Sequence, residues 1–92
     1  MAETQTTKLE WERDALDKYN RIIEKIPLFH REIAKRVVDK QARINCLARR
    51  GQKVEESDIV TAFFSEVPMT FYSLMVRLLD EVGFDYKKFE PK

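Results

Sequence analysis

The chain has 92 residues and a mass of 11.0 kDa, room for one small domain. Hydrophobic residues make up 43% and charged residues 36%, and 17 Lys+Arg against 16 Asp+Glu leave a net charge of +1, too apolar and too balanced for a disordered chain. Two glycines exclude a glycine-rich phosphate loop, and one cysteine excludes an intrachain disulfide framework or a Cys-based zinc or iron–sulfur site.

Residues 1–6 are polar and are expected to form a flexible N-terminus. Thr7-Lys8-Leu9-Glu10 has capping-box spacing and predicts a helix start. Trp11, Ala15, Leu16, Tyr19, Ile22, Ile23 and Ile26 then fall in one arc of about 140°, the apolar face of an amphipathic helix. Pro27 ends that helix and opens the next, in whose first turn its missing N–H costs nothing.

The second helix is predicted from Leu28 to Arg50, with Gly51 as its stop. Phe29, Ile33, Val37, Ile44, Leu47 and Ala48 share an arc of about 100° and are expected to face the core. Ala34, Val38 and Ala42 make a smaller strip beside it, and two apolar strips imply a central position with more than one neighbour. Cys46 falls on the polar arc, between arginines.

Glu55-Glu56-Ser57-Asp58 suits the start of a third helix, where carboxylates meet the positive dipole end. Ile59, Ala62, Phe63 and Val67 supply its inner face, and Pro68 breaks it. A fourth helix is predicted from Met69 to Val82, with Phe71, Leu74, Met75, Leu78 and Val82 inward and Gly83 as its stop. Residues 84–92 form a short tail. The fold class is therefore all-α: a compact four-helix domain over residues 7–83 with a long central second helix.

Charge is unevenly placed. Residues 1–26 carry net −1, residues 27–53 net +6 and residues 54–92 net −4. Arg31, Lys35, Arg36, Arg43, Arg49 and Arg50 share the polar arc of the long helix, as a solvated face or as a docking strip for nucleic acid or an acidic protein. His30 and Cys46 are the candidate ligand contacts; neither has a second metal-binding residue at suitable spacing. Met69, Tyr72 and Val76 line the outer side of the fourth helix and are a candidate dimer patch. No nucleophile–base pair or metal set is visible, so no catalytic or metal residue is assigned. No apolar run reaches the roughly 18 residues of a membrane span and no signal-peptide pattern opens the sequence, which predicts a cytoplasmic chain with no membrane partner.

Trp11-Glu12-Arg13-Asp14-Ala15, then Ile26-Pro27-Leu28-Phe29-His30-Arg31, then Asp39 and Ala42, and finally Val54 with Asp58, Ile59 and Ala62 form a pattern. It resembles the small C-terminal domain of the B subunit of light-independent protochlorophyllide reductase, which also occurs as short stand-alone proteins. The resemblance covers residues 11–63. The stretch between Ala42 and Val54 is several residues longer here, and residues 68–92 have no counterpart in that pattern. The full reductase resembles nitrogenase and binds its iron–sulfur cluster and pigment mainly through larger domains. The resemblance thus implies an accessory or docking module of a tetrapyrrole or nitrogenase-like oxidoreductase system. It implies a larger protein partner and no cofactor bound by this chain alone. Of the matched residues, Trp11, Ile26, Pro27 and Phe29 read physically as corner packing between the first two helices, and Arg31, which follows that corner and starts the basic strip, is the best candidate for a functional contact.

A looser resemblance is to the histone fold: a short helix, a long basic helix, then Val54 as a strand residue before the short helix containing Asp58, Ile59 and Ala62. It implies a homodimer and, as the alternative function, binding to DNA backbone through the six basic residues.

Overall fold

The structure, a computed structural model, describes residues 9–89. The expected flexible segment 1–6 lies outside them, as do Thr7 and Lys8. Four helices account for most of the described chain: α1 (Arg13–Lys25), α2 (Leu28–Ala48), α3 (Glu56–Glu66) and α4 (Tyr72–Val82). The all-α four-helix architecture with a long second helix is the one observed. Two short strands, β1 (Glu10–Trp11) and β2 (Lys53–Val54), pair in parallel, with Glu10 opposite Lys53 and Trp11 opposite Val54.

The first helix begins later than its capping-box spacing predicts. The backbone at Glu10 and Trp11 goes to β2 instead, and the Glu12 N–H continues the ladder to the Val54 carbonyl at 2.8 Å. The Trp11 ring stacks on Tyr19 at 5.6 Å, which favours the extended entry. Glu12 then caps α1, its carboxylate accepting the Ala15 N–H at 2.8 Å. Pro27 makes the corner between α1 and α2. Arg31 reaches back across it and donates to the carbonyls of Glu24 and Ile26 at 2.8 and 3.0 Å, satisfying groups that the end of α1 leaves free.

The central helix faces the core with the smaller of its two predicted apolar strips, not with the main one. Val38, Ala42 and Cys46 are buried, while Phe29, Ile33 and Val37 are 78%, 61% and 37% exposed and Ile44 and Leu47 45% and 49%. The reason is close packing. α3 makes its most extensive contact with α2, and small side chains on α2 let the Ile59, Val60, Ala62 and Phe63 layer approach. Cys46 belongs to that small-residue side, so its expected place among the arginines is wrong. Its thiol is fully buried and donates to the Lys53 carbonyl at 3.2 Å. Phe29 likewise packs no corner; it stands out from the first turn of α2.

α2 and α4 end in the same hydrogen-bond pattern. After α2, Gly51 N–H bonds the Cys46 carbonyl at 2.8 Å and Arg50 N–H the Leu47 carbonyl at 3.0 Å. After α4, Phe84 N–H bonds the Leu79 carbonyl at 3.0 Å and Gly83 N–H the Asp80 carbonyl at 3.1 Å. The left-handed residue is Gly83 (φ 93°) in one and Arg50 (φ 60°) in the other. Gly51 serves a different need than the predicted stop: a Cβ there would stand 2.5 Å from Nη1 of Arg49.

The segment after Pro68 opens with a 3-10 turn, Met69–Phe71, before α4. α4 turns Met75, Leu79 and Val82 into the core, leaving Phe71 and Leu74 exposed rather than inward as predicted. Tyr72 and Val76 are partly buried against the core, and Tyr72 tilts on Phe64 at 5.2 Å. Of the predicted outer patch, Met69 is exposed and Tyr72 and Val76 are half-buried. The start of the tail packs back, with Phe84 buried and a 3-10 turn at Tyr86–Phe89. Among the described residues no single helix is long and apolar enough to cross a membrane. The radius of gyration of 12.7 Å is close to the roughly 12 Å expected of a compact chain this long.

Candidate functional site: an apolar ridge and groove on α2

The exposed apolar side chains of α2 are not scattered. Phe29, Ile33, Val37, Ile44 and Leu47 run along one side of the helix as a ridge. Beside its N-terminal half lies a groove of about 460 Å³. Ile26 and His30 line it at one end, Ile33 and Val37 along one wall, and Leu74 and Leu78 along the other. Glu66 and His30 are the ionisable side chains on its lining. The sequence places these residues here because the small-residue side of α2 is taken by α3. The larger apolar side is left to bound an open channel with α4.

His30 sits at this rim, exposed, its ring 4.2 Å from that of Phe29. Cys46 is on the other side of α2, so the two candidate ligand contacts are not brought together. Burial, with Asp58 nearby, raises the Cys46 thiol above its ordinary range against the opposing pull of Arg49. A protonated, enclosed thiol has neither the access nor the charge of a reactive one. Among the described residues no group of three or more His, Cys, Asp or Glu side chains gathers as a metal site.

Two members of the basic strip, Arg31 and Arg49, are firmly engaged within the chain, and the rest remain on the surface. Arg31 holds the corner carbonyls. Lys35 lies 3.8 Å from Asp39, and Arg36 lies 3.9 Å from Glu32. Arg43 stands over the Trp11 ring at 6.0 Å. Arg49 clamps the buried Asp58 with Nε at 3.0 Å and Nη2 at 2.8 Å, and also donates to the Lys53 carbonyl at 2.8 Å. The hydrogen bond to Asp58 raises the guanidinium above its ordinary range, so it stays charged. Asp58 in turn accepts the Glu55 N–H at 2.8 Å, so the acidic cluster does cap α3 as its position predicts. The side chain of Arg50 enters no hydrogen bond or ion pair among the described residues.

A second polar pair, the buried Tyr19 with the half-buried Asp39, holds α1 to α2. Tyr19 donates its hydroxyl to Asp39, with the Lys35 carbonyl at 3.3 Å, and burial followed by Asp39 raises the phenol well above its ordinary range. The sequence reading missed this pair, since Tyr19 was read only as an apolar position. It missed the ridge as a surface for a plainer reason: periodicity marks an apolar side but not which of two sides the neighbours cover.

Taken as a class, this is a small helical domain with a charged shell and one bare apolar face. The chain matches no protein-family model, no curated protein and no solved structure.

Proposed function

We propose that this chain is a non-catalytic protein-interaction domain that docks through the ridge and groove of α2. The observation that supports it is the bare apolar side of a helix whose other side is in the core. A contiguous apolar patch of this kind on a small domain marks a contact surface. A place beside a tetrapyrrole or nitrogenase-like oxidoreductase rests on the resemblance of residues 11–63 alone. The DNA-binding alternative keeps less support, since Arg31 and Arg49 are bound to the chain's own carbonyls and carboxylate.

The test is photo-crosslinking in the cell of origin, with a benzophenone side chain placed at Ile33 and, as control, at the exposed Asp17 of α1. Protein adducts from Ile33 and none from Asp17 are expected. Equal adducts from both positions, or none from Ile33, overturn the proposal. Nucleic-acid adducts from a probe at Arg36 would promote the DNA-binding alternative.

A further inference from the structure

We infer that the occupant of the α2 ridge and groove is a second copy of this chain, related by a two-fold axis that crosses α2 near its middle. This inference rests on the interaction-domain reading above and names its partner.

Two observations carry it. The first is area. Phe29, Ile33, Val37, Ile44, Leu47, Met69, Phe71 and Leu74 are all exposed large apolar side chains of this face and its margins. Together they come close to the roughly 800 Å² that each partner contributes to a stable interface. A short peptide would leave much of that uncovered.

The second is self-complementarity. A two-fold interface needs a surface that fits itself, so that where one residue meets another the reverse contact also forms. The N-terminal half of α2 has a concave neighbour, the groove walled by Ile33, Val37, Leu74 and Leu78. The C-terminal half carries the protruding Ile44 and Leu47. Two antiparallel copies of α2 set Ile44 and Leu47 of each against Ile33 and Phe29 of the other. The pairs 29 with 47 and 33 with 44 share a midpoint near residue 38, which fixes the axis. Val37 then lies beside the axis. Lys40, the charged residue closest to it within the ridge, can lay its stem on apolar surface and keep its ammonium in water.

The test is the mass of the purified 92-residue chain by light scattering up to about 100 µM, a concentration at which micromolar association is near complete. A particle of twice 11.0 kDa is expected. Ile33→Asp and Leu47→Asp, both at exposed positions, should each weaken it about 30-fold or more with unchanged helical circular dichroism. Val37→Cys should oxidise to a covalent dimer at the axis, since the native Cys46 is enclosed. Dimerisation should change little between 50 and 200 mM salt, unlike phosphate binding, which falls by orders of magnitude.

A single-chain mass throughout overturns the inference. If the chain is then a monomer while the Ile33 probe still captures another protein, the interaction-domain reading stands and the two-fold reading alone falls. A monomer with no Ile33 adduct removes both. A dimer that survives both Asp substitutions also overturns the inference, because it must use another surface.

Discussion

At Arg50 a bulky side chain sits in a left-handed conformation that costs a non-glycine residue about 1–2 kcal/mol. The matching position after α4 is Gly83. Arg50→Gly should therefore stabilise the domain by about 1 kcal/mol, raising Tm by about 4–8 °C in a thermal melt. The next residue has the opposite sign. Gly51→Ala puts a methyl where the Arg49 guanidinium lies, and that group is pinned by Asp58 and the Lys53 carbonyl. A loss of about 1–3 kcal/mol in urea unfolding is expected, similar to Arg49→Ala, which strips the buried Asp58 of its cation. A neutral Gly51→Ala would show that Arg49 can move without loss. Alkaline pH probes two more side chains. Cys46 and Tyr19 both have folded values raised by burial above their ordinary 9.0 and 10.0. The native state then holds protons that the unfolded chain releases, so stability is full below pH 9 and falls as pH rises beyond it. Melts across pH 8–11 should show this decline, and Cys46→Ala should flatten its first part; an unchanged slope in that variant would assign the decline elsewhere.

The elements differ in how their apolar residues are used, and truncation should reveal it. Leu79 of α4 is fully buried, so Leu79→Ala should cost about 2–5 kcal/mol at any protein concentration. Leu47 on the ridge is about half exposed, so Leu47→Ala should change monomer stability by about 1 kcal/mol or less, well below the loss at Leu79. Equal losses at both positions would place Leu47 in a core. The same contrast explains what could be read beforehand. Helix type and order were legible: the proline at 27 and the glycine at 83 mark real breaks, and the Glu55–Asp58 cluster caps α3. The inner side of α2 was legible only in part: the strip of Ala34, Val38 and Ala42 was expected to meet a neighbour, but the larger apolar strip was expected to be the main core face. Its large apolar residues have the stronger periodicity, yet Val38, Ala42 and Cys46 face α3, because contact distance between helices rewards small side chains and a wheel records only polarity. The strand at Glu10–Trp11 was missed because two residues carry no period, and its partner lies 43 positions away at Lys53–Val54. Arg31 and Arg49 were read as a strip facing outward, since sequence cannot say that carbonyls at a helix end or a buried Asp58 claim them first.

At the scale of the whole molecule, the proposed dimer makes folding and association one equilibrium. The melting temperature should rise with protein concentration for the native chain and lose that dependence in Ile33→Asp. A concentration-independent melt of the native chain, across a range in which the mass doubles, would contradict that coupling. The turn between α2 and β2 has a further consequence, for proteases. It presents Arg49 and Arg50 in succession beside Gly51; among the described residues the Arg50 side chain enters no hydrogen bond or ion pair, while Arg49 is anchored at three acceptors. Trypsin under brief digestion should nick the chain first after Arg50, at its waist. Because α3 is packed on the α2 side of that cut, the two halves should stay together after the peptide bond is gone, a natural starting point for a split version that reassembles from separate pieces.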